Sequence, residues 1–479
     1  MSRKLHLIGV FLLVMVTLLG SVSAPAQPGE VVAADLWSPQ PAQAAELTEN
    51  VIYLPAVKRE IQTVFGVGLA QITTSGGFDY LTQTRASWTR KDGIRWRDVE
   101  PVEGVRNWAV LDELNTQLRT AAQNNIRVIL IIQGTPSWAA ENPDLTCGPI
   151  RADKFQAFAS FLHEVVRRYS VAPYNIFDFE IWNEPDLDPA DYSFDEGFGC
   201  WGDRTDPYYG GRHYGEMLKF VYPAMKSANP QARVVLGGLL LDCDPVYCPP
   251  NSGHGDLPPK FLEGVLVAGA GNSFDGVSFH AYDYYMGNAN YGNTNWGTNR
   301  ALNGPVSIAK AAYIRQLLFN YNVDGKFLMN TESAILCDTD CFEDFESTKA
   351  SYVVQASVAA LSQGFEVNLW YNMLGWRNSG LLTSTLQPRD AYYTFKFASE
   401  KLGEADYSDQ INQIGFYIYE FLKGDRRIQV VWSKTASEIL YLPPNGLIPD
   451  NVYNAYGIEL PITVPIKVGQ MPVYVELRR

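Results

Sequence analysis

Histidine is scarce in this chain, with five among 479 residues. No GxSxG segment lies on a strand-like run, so a serine-nucleophile esterase or protease has neither its elbow nor a ready base. HExxH, zinc-finger, EF-hand and P-loop patterns are missing too. Neither a metal nor any other cofactor is expected. Positive charge is also in deficit. Thirty-eight Lys and Arg stand against 52 Asp and Glu, a net charge of -14. A nucleic-acid partner is therefore not expected, because such binding rests on a basic face that displaces counterions. After the first residues no run is apolar and long enough to span a bilayer, and no internal repeat is visible.

What the N-terminus does carry is Arg3 and Lys4, then GVFLLVMVTLLGSV, then small residues from Ser23 to Ala26. These are the n-region, h-region and cleavage zone of a secretory signal peptide, 1–26, which predicts a secreted or extracytoplasmic protein. An uncleaved anchor is the competing reading, but the run from Gly9 to Val22 falls short of the roughly 20 apolar residues a span needs. A Pro-, Ala- and Gln-rich linker is expected over 27–50. Six cysteines suit an oxidising destination. Cys243 and Cys248 in DCDPVYC, and Cys337 and Cys341 in CDTDC, read as short loop staples. Cys147 and Cys200 are left as a candidate long-range pair, and spacing alone does not fix the connectivity. A metal reading of CDTDC lacks a companion CxxC or histidine cluster.

Over 51–402, short β-branched or aromatic runs alternate with amphipathic segments. The expected strands are VFGVGLA from Val64, a segment around Thr84–Trp88, IRVILIIQG from Ile126 and NIFDFEIWN from Asn175. ARVVLGGLLL from Ala232, FDGVSFHAY from Phe274, KFLMNTE from Lys326 and EVNLWYN from Glu366 complete eight. Helical spacing lies between them, as in Leu111, Leu114 and Leu118, or Phe155, Phe158, Phe161 and Val165. Eight strand–helix units predict a closed (β/α)8 TIM barrel. An open doubly wound sheet is disfavoured by the lack of a Gly-rich turn after the first strand. Residues 403–479 hold short strand-like runs broken by Gly, Pro and Asn, read as a small C-terminal β-sandwich domain.

In such a barrel the working groups stand at the C-terminal strand ends. Strand four ends in Trp182-Asn183-Glu184-Pro185 and strand seven in Asn330-Thr331-Glu332. Three strand positions separate the two glutamates, which lets them face each other over the mouth. Cleaving a glycosidic bond takes one carboxyl that keeps its proton and a second that is ionised, and two close buried carboxyls split their pKa values in that sense. Glu180, four residues before Glu184, shares its strand face and is expected to bond Arg90 or His280 in support of the site.

FEIWNEPDL (Phe179–Leu187) and LMNTES (Leu328–Ser333) resemble the two catalytic strand ends of the clan A glycoside hydrolases, which are retaining β-glycosidases on TIM barrels. Over about residues 60–400 the chain looks most similar to family 39 and family 5-like members. The resemblance implies Glu184 as acid/base, Glu332 as nucleophile and Asn183 as the partner of the sugar 2-hydroxyl. It implies that His280 and Tyr282, in SFHAYDYY, are the strand-six pair, with the tyrosine holding the nucleophile. Trp370, at the end of strand eight, resembles the aromatic platform beneath the sugar. Arg90 resembles an arginine after strand two that keeps the nucleophile ionised. The expected partner is then an oligosaccharide or polysaccharide. Trp96, Trp138, Trp182 and Trp376 are further candidates for aromatic surface, with core packing the alternative for Trp138 and Trp182. A carbohydrate-binding protein on an inactive barrel is the rival function, and it has no need for an acid paired with a nucleophile. The sugar, endo or exo action and oligomeric state stay open.

Overall fold

The computed structural model describes residues 63–190, 199–248, 259–338 and 341–478. The expected signal peptide and linker lie outside them. Eight parallel strands form the main sheet: β1 (Phe65–Val67), β2 (Trp88–Arg95), β3 (Arg127–Gln133), β4 (Asp178–Asn183), β5 (Arg233–Leu239), β6 (Gly276–Gly287), β7 (Phe327–Leu336) and β8 (Val367–Trp370). They neighbour one another in sequence order, β8 returns to β1, and β5 pairs with β6 to close the ring. The connecting helices include α1 (Asp112–Gln123), α2 (Phe155–Tyr169), α3 (Gly211–Ala228), α4 (Phe261–Val267), α5 (Ser307–Asn320), α6 (Phe345–Ser362) and α7 (Asp390–Leu402). The apolar residues at helical spacing do what that spacing implies: Leu114 and Leu118 of α1 and Phe155, Phe158, Phe161 and Val165 of α2 are buried. The expected (β/α)8 barrel is the observed one.

Strand two is displaced from its expected place. Thr84–Trp88 ends a turn, and the strand is Trp88–Arg95, WTRKDGIR. This segment is too polar to show apolar alternation, because its inward residues build a polar layer. Trp88 sits in the barrel's lower core with Ile129, Val235, Met329, Val367 and Leu369. Two residues on, on the same face, Arg90 rises into the next layer. Strands β6 and β7 outrun their neighbours and stay paired as far as Tyr284 and Leu336. β6 then turns back through the short strands Asn290–Asn293 and Thr298–Asn299.

After α7 the chain forms an antiparallel five-stranded sheet from β9 (Asp406–Gln410), β10 (Phe416–Lys423), β11 (Arg426–Ser433), β13 (Asn451–Asn454) and β15 (Val473–Arg478). β12 (Ile439–Tyr441) pairs with β14 (Ile466–Val468). Alternation in β10 decides which side packs where. Phe416 and Ile418 join Tyr441, Ile466 and Val468 in a core between the two sheets. Tyr417, Tyr419 and Phe421 join the barrel's own hydrophobic cluster. Arg300 Nη2 donates to the Ser433 carbonyl at 2.7 Å, and Lys401 Nζ meets Glu476 Oε1 at 2.6 Å. Among the described residues no helix is long and apolar enough to cross a membrane.

Candidate active site

The polar layer above the lower core is tied together by one guanidinium. Arg90 donates from Nε to Glu180 Oε2, from Nη1 to Glu332 Oε1 and from Nη2 to Asn183 Oδ1, each at 2.6 Å. Arg90 is thus the third residue of β2, not a residue following the strand as expected, and it reaches upward from within the barrel. The expected bond of Glu180 is to Arg90. Its other oxygen accepts from Thr331 Oγ1 at 3.1 Å. Gly238 of β5 is required here. A Cβ at that position would lie 2.5 Å from His280 Nε2 and 2.9 Å from Arg90 Nη2.

Glu184 stands one residue past β4 on a bent backbone. Trp182 (φ 79°) and Glu184 (φ 47°) both adopt left-handed conformations, at a cost of about 1–3 kcal/mol each. Several bonds impose the bend. The Glu184 N–H donates to the Gly238 carbonyl at 2.8 Å. The Trp182 indole packs on Trp201 and Phe158 and donates to the Cys147 carbonyl at 3.0 Å. Cys147 is disulfide-bonded to Cys200, and Cys243 to Cys248 and Cys337 to Cys341, so the long-range pair is the one left over from the two staples.

Across the mouth Glu332 is held at both oxygens, by Arg90 and by the Tyr282 hydroxyl. His280 Nδ1 lies 2.7 Å from Glu184 Oε1 and 3.5 Å from Glu332 Oε2. One oxygen of each glutamate and a His280 nitrogen all lie within 4.8 Å of one another. That spacing would suit a metal ion. However, the Glu332 oxygens and His280 Nδ1 are already engaged by protein partners, and Arg90 already sets a positive charge against Glu332.

The two carboxyls differ in environment. Burial raises the Glu184 pKa well above the usual range, and the nearby charge of Glu332 raises it further. Burial raises Glu332 as well, but Arg90 and the Tyr282 hydrogen bond pull it back. Burial, then the Arg90 charge, keeps His280 neutral. For Arg90 itself burial opposes the charge, but Glu180 and Glu332 outweigh it and the guanidinium stays protonated. Both pKa values are raised, and it is Glu332 that has a guanidinium and a phenol hydroxyl to offset burial, so Glu184 is the one pushed harder toward its neutral form.

A cavity of about 350 Å³ opens over Glu332, lined also by Arg90, Asn183, Gln133 and Tyr371. Trp370 is not in it. The indole is 2% exposed, donates to the Ser379 carbonyl at 2.9 Å and packs against Tyr352 of α6. As the last residue of β8 it faces the helix layer, and the next residue, Tyr371, turns to the cleft, with its ring 6.2 Å from Tyr282. The sequence signal for Tyr371 was its place just after the strand, one residue beyond the more conspicuous tryptophan. Trp376 is 49% exposed with its ring 6.3 Å from Tyr282, so it does offer aromatic surface. Trp96 and Trp182 are core residues, and Trp138 is partly buried against Trp96. Gln133, Asp92 and Lys91 also line the cavity, and nothing in their local sequence marked them.

The backbone can be compared with known folds. A family 39 glycoside hydrolase from the gut symbiont Bacteroides cellulosilyticus superposes with a TM-score of 0.66 at 18% identity, over 87% of this chain and 81% of that one. The chain has the fold of the family 39 and family 30 glycoside hydrolases. A family 30 subfamily 8 xylanase from Clostridium acetobutylicum gives a TM-score of 0.59 at 12% identity, covering 87% of this chain and 97% of the other. A family 39 β-xylosidase from Caulobacter crescentus gives 0.54 at 14%, covering 87% and 96%. No family model matches the sequence, and no curated protein matches it either.

Proposed function

We propose that the protein is an exported retaining β-glycosidase acting in carbohydrate breakdown, with Glu184 as acid/base and Glu332 as nucleophile. One observation carries the reading: two buried carboxyls whose oxygens approach within 4.8 Å, one pushed toward its neutral form and the other held by a guanidinium and a phenol. Retaining enzymes keep their carboxyls about 5–5.5 Å apart, and inverting ones leave a wider gap for water. The neighbours, which include a xylanase and a β-xylosidase, support a β-linked saccharide as substrate and put xylosides first in any panel. Three disulfides support export to an oxidising compartment.

In this mechanism Glu332 attacks the anomeric carbon while Glu184 gives its proton to the departing oxygen. A glycosyl ester forms on Glu332 and the aglycone leaves as an alcohol. Glu184, now a carboxylate, removes a proton from the water that cleaves the ester, which restores both groups. His280 fixes Glu184 Oε1, and Glu184 Oε2 has no hydrogen-bond partner, so the proton is best carried on Oε2. Asn183, oriented by Arg90, is suited to the sugar 2-hydroxyl.

The test is hydrolysis of a panel of aryl β-glycosides beside Glu332→Ala. Cleavage of one sugar type that is lost in the variant supports the assignment. Undiminished cleavage by the variant would remove Glu332 from its role, and a wild type inert on both the panel and β-linked polysaccharides would favour a binding protein.

A further inference from the structure

A lysine of the helix layer reaches into the barrel wall behind His280. Lys310 of α5 is 2% exposed. Its Nζ donates to the Leu240 carbonyl and to the His280 carbonyl, each at 2.8 Å. The ladder between β5 and β6 stops at Leu239 and Phe279, so the ammonium bridges the next residue of each chain. Toward β7 the register shifts between Phe279 and His280. Regular pairing thus stops or slips at His280 on both sides, the kind of irregularity that re-aims a side chain. A closed circuit of bonds runs through the lysine. Asp186, two residues past Glu184, accepts from the Leu240 and Leu241 N–H groups at 2.9 and 2.8 Å. Lys310 ties Leu240 to His280, and His280 Nδ1 meets Glu184 Oε1 at 2.7 Å.

We infer that Lys310 is a positioning residue, which holds His280 against Glu184 and sets the field in which the Glu184 proton moves. The inference rests on the glycosidase reading above and adds to it a group remote from the sugar. A buried ammonium is costly, and a methionine would fill the same space without that cost. The charge is nonetheless kept. Burial lowers the Lys310 pKa to about 8 against the pull of Asp242 and Asp186, past the ends of β5 and β4, of Asp283 on β6 and of Glu184. Below that pH the ammonium is charged. Its attraction to the Glu184 carboxylate is mutual, so Lys310 lowers the pKa of Glu184 while burial, Glu332, Asp186 and Asp242 raise it and Arg90 lowers it. The same positive charge disfavours an imidazolium at His280. Lys310 therefore acts on Glu184 twice, through the main chain of its hydrogen-bond partner and through charge.

The experiment records kcat/KM against pH for the fastest aryl glycoside of the panel, with the wild type, Lys310→Met and Lys310→Arg. Lys310→Met is expected to fall roughly ten- to a hundredfold at the plateau, because Glu184 loses its fixed partner. Its alkaline limb should lie roughly half to one pH unit higher, because Glu184 loses a nearby positive charge. Lys310→Arg keeps the charge and should keep the limb in place. If Lys310→Met does not fold, Lys310→Gln, neutral but polar, is read in the same way. Loosened packing alone would lower the plateau and leave the limb where it was. A folded neutral variant whose limb stays in place, or whose plateau matches the wild type, would overturn the inference and leave the glycosidase reading intact. Failure of the wild type on every aryl glycoside and on β-linked polysaccharides would bring down that reading, and the inference with it.

Discussion

Tyr282 touches Glu332 with a single hydroxyl, and the consequence is a pH dependence. The hydrogen bond lowers the Glu332 pKa against the pull of burial. On the proposed mechanism Glu332 attacks as a carboxylate, so activity is expected to fall as pH drops through its pKa. On the same mechanism Glu184 donates a proton, so activity is expected to fall as pH rises through its own raised pKa. Tyr282→Phe should move the acidic limb of kcat/KM to higher pH, leave the alkaline limb nearly in place and reduce the plateau by about ten- to a hundredfold. A pH–rate profile checks all three. Glu184→Gln should slow poor leaving groups by roughly 10²–10⁴ and activated aryl glycosides far less. Equal losses on both would contradict proton donation by Glu184.

At the level of strands, the close approach at Gly238 is the most sensitive point. Gly238→Ala sets a methyl against His280 and Arg90, where overpacking costs about 1–3 kcal/mol. Thermal unfolding should show the loss, and turnover should fall with it. The same strands explain what could be read from the sequence. β3 to β7 were legible because they are apolar runs bounded by turns, and WNEP marked its rim position because proline stops a strand. β2 was misplaced because Arg90, Lys91 and Asp92 interrupt its alternation for the sake of the site. Trp370 was misassigned for a related reason. A four-residue strand fixes direction only once its pairing is known, and a slip of one residue exchanges the helix layer for the cleft.

At the largest scale the C-terminal sheet and the barrel share one hydrophobic cluster and fall in one compact unit. Trp432, stacked against both Tyr417 and Tyr419, is part of that shared core. Trp432→Ala should remove about 3–5 kcal/mol from a single unfolding transition followed by denaturant. Two separated transitions, with the barrel's unchanged, would show that the parts fold independently. The barrel also hangs the bent backbone that carries Glu184 on a covalent bond. The bend at Trp182 and Glu184 leans on the Cys147 carbonyl, and Cys147 is anchored through its sulfur to the loop after β4. Protein made in a reducing cytoplasm would lack that anchor. Such material should keep the barrel but hold Glu184 less firmly, and on the proposed reading it would turn over substrate more slowly. The choice of expression host thus decides whether an assay reads the active site or only its scaffold.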